Sequence, residues 1–277
     1  MGKSIYELIE KNIKDGVLNP EVSIRKDKFA DGAVDGMYVY HMAHQEMGEE
    51  IKGKIAAVIK KACTGNYEKA DKMYLEINKL TLEMIDDIQD VIYDLSEQIN
   101  SDKLWLYIEH LMFESENAEL VKLSLAIIEI FNIDDDEDLK GYIRTLGLSN
   151  EFSLFVIFNM RKWSNSDEEI WNLIKNVRGW GRVHGIAYMS SEISNEISTW
   201  ILEEGWDNDV MPEYTAIQVW NKGKAMDKLR SGNMSEKEKD AIGNLIAISE
   251  ADTPKPVACL ESLDEYEEIK ELYKKIN

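Results

Sequence analysis

Apolar residues recur at spacings of three and four along most of this chain, and no other feature restricts its fold as strongly. One such stripe consists of Met84, Ile85, Ile88, Val91, Ile92 and Leu95. This spacing places the side chains on one face of an α-helix. Helix breakers are scarce, with only 4 prolines and 16 glycines in 277 residues. The sequence therefore predicts an all-α protein.

We predict sixteen helices joined by short connections, which favour antiparallel neighbours. The predicted spans are 4–14, 33–47, 50–63, 67–78, 81–98, 103–114, 117–131, 138–146, 150–163, 167–177, 181–190, 195–204, 212–222, 224–231, 235–249 and 263–276. Three of them are preceded by the S-x-x-E pattern of a capping box, at 166–169, 235–238 and 262–265.

Two stretches are predicted to be irregular. Residues 16–32 contain two glycines and a proline, and 22–24 could form a short extended piece. Residues 250–261 contain Pro254 and Pro256, which disfavour helix before each of them. We expect a single α-helical repeat domain over 1–277, with 250–261 as a linker and 262–277 as a terminal helix that packs back on the body.

Two neighbouring segments, 170–189 and 197–220, share one pattern. Each begins with an amphipathic helix that carries Trp171 or Trp200, continues through a turn with Gly179 or Gly205, and ends with a second helix of small and apolar residues. The period is roughly 30 residues, in the range of solenoid repeats.

Within this stretch Arg182, Val183 and His184, followed by Ala187, resemble the V-R-x-x-A start of the inner helix in HEAT-type repeats. The resemblance covers residues 165–222, and the order of Arg182 and Val183 is reversed relative to the family. It implies an α-solenoid of stacked antiparallel helix pairs with a scaffold role, and it implies no catalytic residues. An irregular helical bundle is the alternative architecture.

The formal net charge is −21, from 53 acidic and 32 basic residues. Such a chain repels phosphate backbones and anionic lipid surfaces, and nucleic-acid binding gains most of its affinity from Lys and Arg. The charge therefore argues against nucleic acid and membrane as partners. It favours a basic protein partner, with solubility alone as the alternative explanation.

Cys63 and Cys259 are far apart in a chain that needs no disulfide, which suits a reducing compartment. The first twelve residues lack the apolar core of a secretory signal, and no run of 18 apolar residues occurs. These features predict a cytoplasmic protein.

His41 and His44 are the candidate metal ligands, because a spacing of three puts both imidazoles on one helix face. A catalytic zinc site needs three protein ligands and a structural site needs four. The sequence supplies only these two, so we expect no metal and favour a surface or packing pair. No cofactor is predicted either.

Asp134, Asp136 and Asp138 alternate like the first half of a calcium loop. An EF-hand would need glycine where Leu139 stands and glutamate where Thr145 stands. The favoured interpretation is an acidic helix start, where carboxylates stabilise the positive end of the helix dipole.

The string GWGRVHG, residues 179–185, is the most unusual in the chain. Trp180, Arg182 and His184 could bind a carboxylate or a ring, because arginine and tryptophan offer charge-assisted hydrogen bonds and cation–π contact. The alternative, which we favour, is an interhelical packing motif in which the glycines permit close approach. A ligand site here would require a pocket lined by these side chains.

No nucleophile elbow, dinucleotide fingerprint or phosphate-binding loop occurs in the sequence. The leading hypothesis is therefore a non-enzymatic protein-interaction scaffold with an acidic binding surface. The second hypothesis is a small-molecule binder or enzyme that uses Trp180, Arg182 and His184.

Overall fold

The computed structural model describes residues 3–43 and 48–276, and these are mostly α-helical with only one small pair of strands, as the sequence predicts. The chain divides into two compact units, Met1–Ser164 (unit 1) and Asn165–Asn277 (unit 2), which are treated separately below. The boundary at residue 164 was not anticipated, and the assignment of 1–277 to one repeat domain stays a prediction.

Unit 1 contains nine helices among its described residues. They are α1 (Ile5–Glu10), α2 (Ala33–His41), α3 (Glu49–Ala62), α4 (Tyr67–Leu75), α5 (Ile85–Asp94), α6 (Ser101–Phe113), α7 (Ala118–Ile128), α8 (Glu137–Gly147) and α9 (Asn150–Met160). A 3-10 turn, Thr81–Met84, precedes α5. Residues 44–47 of the predicted helix 33–47 lie outside the described residues.

Unit 2 contains seven helices among its described residues. They are α10 (Ser166–Asn176), α11 (Trp180–Tyr188), α12 (Asn195–Glu204), α13 (Glu213–Lys222), α14 (Ala225–Ser231), α15 (Glu236–Glu250) and α16 (Tyr266–Ile276). In the described part of the chain, no helix combines the length and the apolar character needed to cross a membrane.

The predicted helix 4–14 is wrong beyond Glu10. Strand β1 (Ile13–Lys14) pairs antiparallel with β2 (Val17–Leu18), and Ile13 lies opposite Leu18. Asp15 and Gly16 form the two-residue connection, with φ of 53° and 82°. Asp-Gly favours a hairpin turn with both central residues at positive φ, and this local preference ends the helical segment.

The helix starts agree in part with the predicted capping boxes. Ser235 and Glu238 form one, since the serine hydroxyl accepts from the Glu238 N–H and the carboxylate accepts from the Ser235 N–H. At α10 the cap residue is Asn165 and Ser166 is already helical, so that prediction was one residue off. The predicted box at 262–265 lies before α16, which begins at Tyr266.

In unit 1, α3, α5, α7 and α9 pack side by side in that order, and α4, α6 and α8 pack against α3, α7 and α9 respectively. Helix α1 packs against α6 and α8. Almost every residue of α7 and α9 is buried. A helix that is buried on all sides belongs inside a core, so these two helices form the centre of the unit.

In unit 2, α11, α13 and α15 pack side by side, while α10 packs on α11 and α12 packs on both α13 and α15. The non-helical stretch after α15 is tied down, because the Leu260 N–H donates to the Ser249 hydroxyl at 3.1 Å. Helix α16 then packs on α14, where Arg230 and Glu268 form a two-pronged ion pair at 3.1 Å.

Candidate functional site

Arg182 is buried in unit 2, where it holds together the end of one helix and a loop. Its Nε donates to the carbonyls of Ile174 and Val177 at 3.1 and 3.2 Å, and a terminal nitrogen donates to the Asp207 carbonyl at 2.7 Å. The guanidinium also lies 5.5 Å from the centre of the Trp200 ring. Burial lowers its pKa from the ordinary value. The Arg182 guanidinium therefore spends these hydrogen bonds on the protein's own backbone carbonyls.

Trp180 and His184 are buried beside it, one turn apart on α11. Their rings stack with centroids 5.8 Å apart, and Trp180 also contacts the ring of Tyr214 at 4.9 Å. His184 is 1% exposed, and burial lowers its pKa to about 3, so the imidazole is neutral at physiological pH.

Gly185 allows α11 to approach α10 closely, because an added Cβ would lie 2.1 Å from Cγ2 of Ile174. Together with the buried Trp180, Arg182 and His184, this is the arrangement expected of a packing motif. The role of those three residues in ligand binding stays a prediction.

His41, one of the two candidate metal ligands, is the exposed last residue of α2. Its proposed companion, His44, lies outside the described residues. Within residues 3–43 and 48–276, no group of three or more His, Cys, Asp or Glu side chains is placed to hold a metal ion.

The acidic stretch 134–138 is the start of α8, as the sequence predicts. Asp136 is the cap residue and accepts from the Leu139 N–H at 3.0 Å. Asp134 accepts from the Ser164 N–H at 3.1 Å and lies 3.5 Å from the ammonium of Lys140. These bonds lower the pKa of Asp134, with the hydrogen bond from Ser164 as the main cause. Asp135 and Asp138 are exposed to solvent.

A groove that the sequence did not reveal runs past this acidic stretch in unit 1. It consists of three open depressions of about 480, 390 and 230 Å³. The first two share Asn132 and Ile133, and the second and third share Ile130 and Phe131, so they adjoin. We call the whole depression the unit 1 groove; its first end is acidic and its last end is apolar.

A buried charge cluster, also missed from the sequence, lies between α2, α7 and α9. The Lys122 ammonium is 2.8 Å from both Asp35 Oδ2 and Glu151 Oε1, and Glu151 also accepts from Arg25 at 3.1 Å and from the Gly32 N–H at 2.9 Å. Asp35, Lys122 and Glu151 are all at least 98% buried. Their signal in the sequence is a single charge within an apolar helical run, such as Lys122 in LVKLSLAII.

The two acids of this cluster are held differently. Glu151 accepts hydrogen bonds from Arg25 and the Gly32 N–H as well as facing Lys122, whereas Asp35 faces the Lys122 ammonium 2.8 Å from Oδ2. Burial outweighs the attraction of this ammonium and raises the pKa of Asp35 to about 6. Burial acts to lower the pKa of Lys122, but the charges of Asp35, Glu119 and Glu151 outweigh it and raise the value. The arrangement holds a permanent cation in the core and offers no neutral amine for chemistry.

A half-buried histidine links α4 and α6 in unit 1. His110 Nε2 lies 2.9 Å from Asp71 Oδ2, and Nδ1 lies 2.9 Å from Glu114 Oε2. The Tyr107 hydroxyl donates to the other Asp71 oxygen at 2.9 Å. The spacing of His110 and Glu114 was visible in the sequence, but Asp71 is 39 positions away and its proximity was not.

Cys63 and Cys259 are both free thiols. Cys259 is fully buried, and burial raises its pKa to about 11. A protonated, buried thiol is a poor nucleophile, so Cys259 is a packing residue.

Compared with known proteins, this chain matches no protein family, no characterised protein and no solved structure.

Proposed function

We propose that this protein is a non-enzymatic interaction scaffold, an α-solenoid whose acidic surface binds a basic protein partner. The order of packing within each unit supports the architecture. Alternate helices lie side by side, as α3, α5, α7 and α9 do, while the helices between them mostly pack on one or two members of that row. Stacked helix pairs of this kind bury a continuous core and leave open, elongated surfaces for partners.

The observation that carries the proposal is the open, acid-lined part of the unit 1 groove. Its first depression is lined by Asn132, Ile133, Asp135, Asp136, Glu137 and Asp138. Such a surface attracts a positively charged partner and speeds its encounter. The depression is open to solvent rather than enclosed, which suits a protein surface better than an enclosed metabolite.

Two further features support the same proposal. The buried Arg182 and His184 are occupied in packing, which favours the scaffold over chemistry at that segment. The free thiols of Cys63 and Cys259 support a reducing, cytoplasmic setting.

Affinity purification tests the proposal. The full-length protein, immobilised through a terminal tag, is exposed to lysate at about 50 mM and about 500 mM salt, since ionic strength screens exposed charges. We expect a basic protein that is retained at low salt and released at high salt, and that binds again after purification. The proposal of an electrostatic scaffold is contradicted if no partner is recovered, or if the recovered partner binds equally well at both salt concentrations.

A further inference from the structure

We propose that the unit 1 groove binds an extended basic segment of the partner, with one aliphatic or aromatic side chain of that segment seated at the apolar end. The inference rests on the scaffold function proposed above. It adds the location and the chemistry of the bound segment, and it says at which end of the groove the apolar and the basic side chains of that segment lie.

The apolar end of the groove is built to receive an anchor side chain. Its walls are Ile92, Tyr93, Ile99, Leu104, Ile130 and Phe131, around a volume of about 230 Å³. Tyr93 is 81% exposed and Ile130 is 38% exposed, although both are large apolar residues. The Trp105 ring packs edge-on against Phe131 at 5.8 Å and holds it in the wall. Exposed apolar residues that gather in one depression mark an interaction site.

The acidic end lies beyond the middle depression and has an excess of negative charge. Asp135 and Asp138 are exposed, and Glu129 lies between the two ends. The cations nearby do not balance them. Lys140 and Arg144 both pair with Glu137, at 2.9 and 3.1 Å, while Asp135 and Asp138 take part in neither pair. Lys140 also lies 3.5 Å from Asp134, and Lys162 lies 3.9 Å from Glu129. Lysine or arginine side chains of a partner would complement this end.

The carboxyl-terminal ends of the central helices add to the negative electrostatic potential of the groove. Helices α5 and α7 stop at Asp94 and Ile128, and α9 stops at Met160, so their carbonyl ends lie beside groove residues such as Tyr93, Glu129 and Asn159. The carbonyl end of a helix carries partial negative charge and stabilises cations. Helix α8 presents its positive end here, but Asp136 caps it.

Charge also distinguishes the possible occupants. A second copy of this chain carries the same net charge of −21, so two grooves facing each other would bring like charges together. A metal ion would require converging ligands, and the described residues hold no such group. A basic peptide with an apolar anchor satisfies both ends of the groove.

The test uses the full-length protein and a fluorescein-labelled synthetic peptide that has tryptophan and leucine followed by lysines and arginines. Fluorescence anisotropy measures the dissociation constant. One comparison peptide has the same composition with the apolar residues dispersed, and another has glutamates in place of the cations. Tyr93→Ala tests the apolar end, and Asp135→Asn with Asp138→Asn tests the acidic end.

Matched control variants lie in unit 2. Met211→Ala removes another exposed apolar side chain, and Asp240→Asn with Asp252→Asn removes the same charge from exposed positions. Thermal melts check that every variant is folded.

We expect Tyr93→Ala to weaken binding about tenfold, because the bound segment would bury this exposed ring and buried aromatic side chains dominate binding energy. The pair of Asp→Asn changes should weaken it about fivefold, with a smaller effect at high salt. Both control variants should bind like the unchanged protein, and the dispersed peptide should bind more weakly than the ordered one.

Equal weakening by the unit 2 controls, or no preference between the ordered and dispersed peptides, overturns the groove assignment. The groove assignment is also overturned if the protein dimerises and Tyr93→Ala abolishes the dimer, since a second copy would then be the occupant. If the partner found by affinity purification binds the groove variants unchanged, the scaffold function stands and only this inference fails.

Discussion

The two units bury a positive charge in different ways. In unit 1, Lys122 is neutralised by Asp35 and Glu151, which come from other helices of the fold. In unit 2, Arg182 donates to backbone carbonyls, two of which lie within eight residues of it in the sequence. The first arrangement pairs the cation directly with carboxylates. In the second the hydrogen-bond acceptors are carbonyls, and carboxylates such as Asp207 act on Arg182 only through their charge. The comparison teaches that a buried cation makes a core sensitive to pH only when carboxylates surround it.

The largest expected effect is that of Lys122→Met in unit 1. We expect the free energy of unfolding to fall by about 3–5 kcal/mol at neutral pH, because removing one partner leaves buried carboxylates without compensation. Urea unfolding followed by circular dichroism measures this. The matched double variant Lys122→Met with Asp35→Leu should recover part of the loss, since an apolar pair can replace a buried ion pair.

The same variant should show a characteristic pH dependence. Because the pKa of Asp35 is raised from 3.8 to about 6, its contribution to stability is complete below 3.8 and is lost as the pH rises through about 6. Without Lys122 that pKa rises further. In Lys122→Met, Asp35 is therefore already protonated at a higher pH than in the unchanged protein. The stability loss should shrink between about pH 7 and about pH 5, as Asp35 of the unchanged protein also takes up a proton. A loss that is constant over this range contradicts the ion-pair account.

Arg182→Met in unit 2 should have the next largest effect. It leaves the carbonyls of Ile174, Val177 and Asp207 without their guanidinium donor, and unpaired buried groups cost about 1–3 kcal/mol each. Part of that cost is relieved by local adjustment, so we expect a loss of about 3 kcal/mol, measured by the same unfolding experiment.

This loss should be the same at about pH 5 and about pH 7, because carbonyls do not titrate and the hydrogen bond from Arg178 lowers the pKa of nearby Asp207, which stays charged at both values. The contrast with Lys122→Met is the sharpest test of the comparison. If both variants respond alike to pH, the two units do not differ in the way proposed.

Glycine packing gives a smaller effect. Gly185→Ala would place a Cβ 2.1 Å from Cγ2 of Ile174, so the two helices must shift and stability should fall by about 2 kcal/mol. Gly141 in α8 has open space around it, and Gly141→Ala should raise stability by about 0.5–1 kcal/mol through helix propensity alone. Adding Ile174→Leu, which lacks the branch at Cβ, should recover part of the first loss. Equal effects of the two alanines contradict close packing at Gly185.

Local patterns carried most of the prediction of the helices. The stripes place fourteen of the sixteen helices close to their observed bounds. The predicted helix 33–47 is wrong beyond His41, since Met42 and Ala43 are not helical. The error at α1 arose because an Asp-Gly turn outweighed a helical spacing. Gly185 packs closely against Ile174, as the packing interpretation of GWGRVHG requires, and the ligand-binding alternative for this segment stays a prediction. The sequence did not predict the partners of Lys122 or the walls of the unit 1 groove, because these residues come together only through the packing order of the helices.

The smallest expected change in stability is that of a substitution at His110, a half-buried residue of unit 1. Burial acts to lower its pKa, but the hydrogen bonds to Asp71 and Glu114 outweigh it and raise the pKa above 6.5. A raised pKa gives stability that is complete below 6.5 and lost as the pH rises through the folded-state value. Since the site is partly exposed, solvent screening keeps the contribution of His110 below about 1 kcal/mol. His110→Gln should therefore lose stability at about pH 5.5 and very little at about pH 8.5, in unfolding curves measured at both values.

Glu114→Gln, which removes only the exposed partner, should lose less stability than Asp71→Asn, which removes the partner that joins α4 to α6. The reverse order would mean that surface charge rather than the link between the helices sets the pKa of His110.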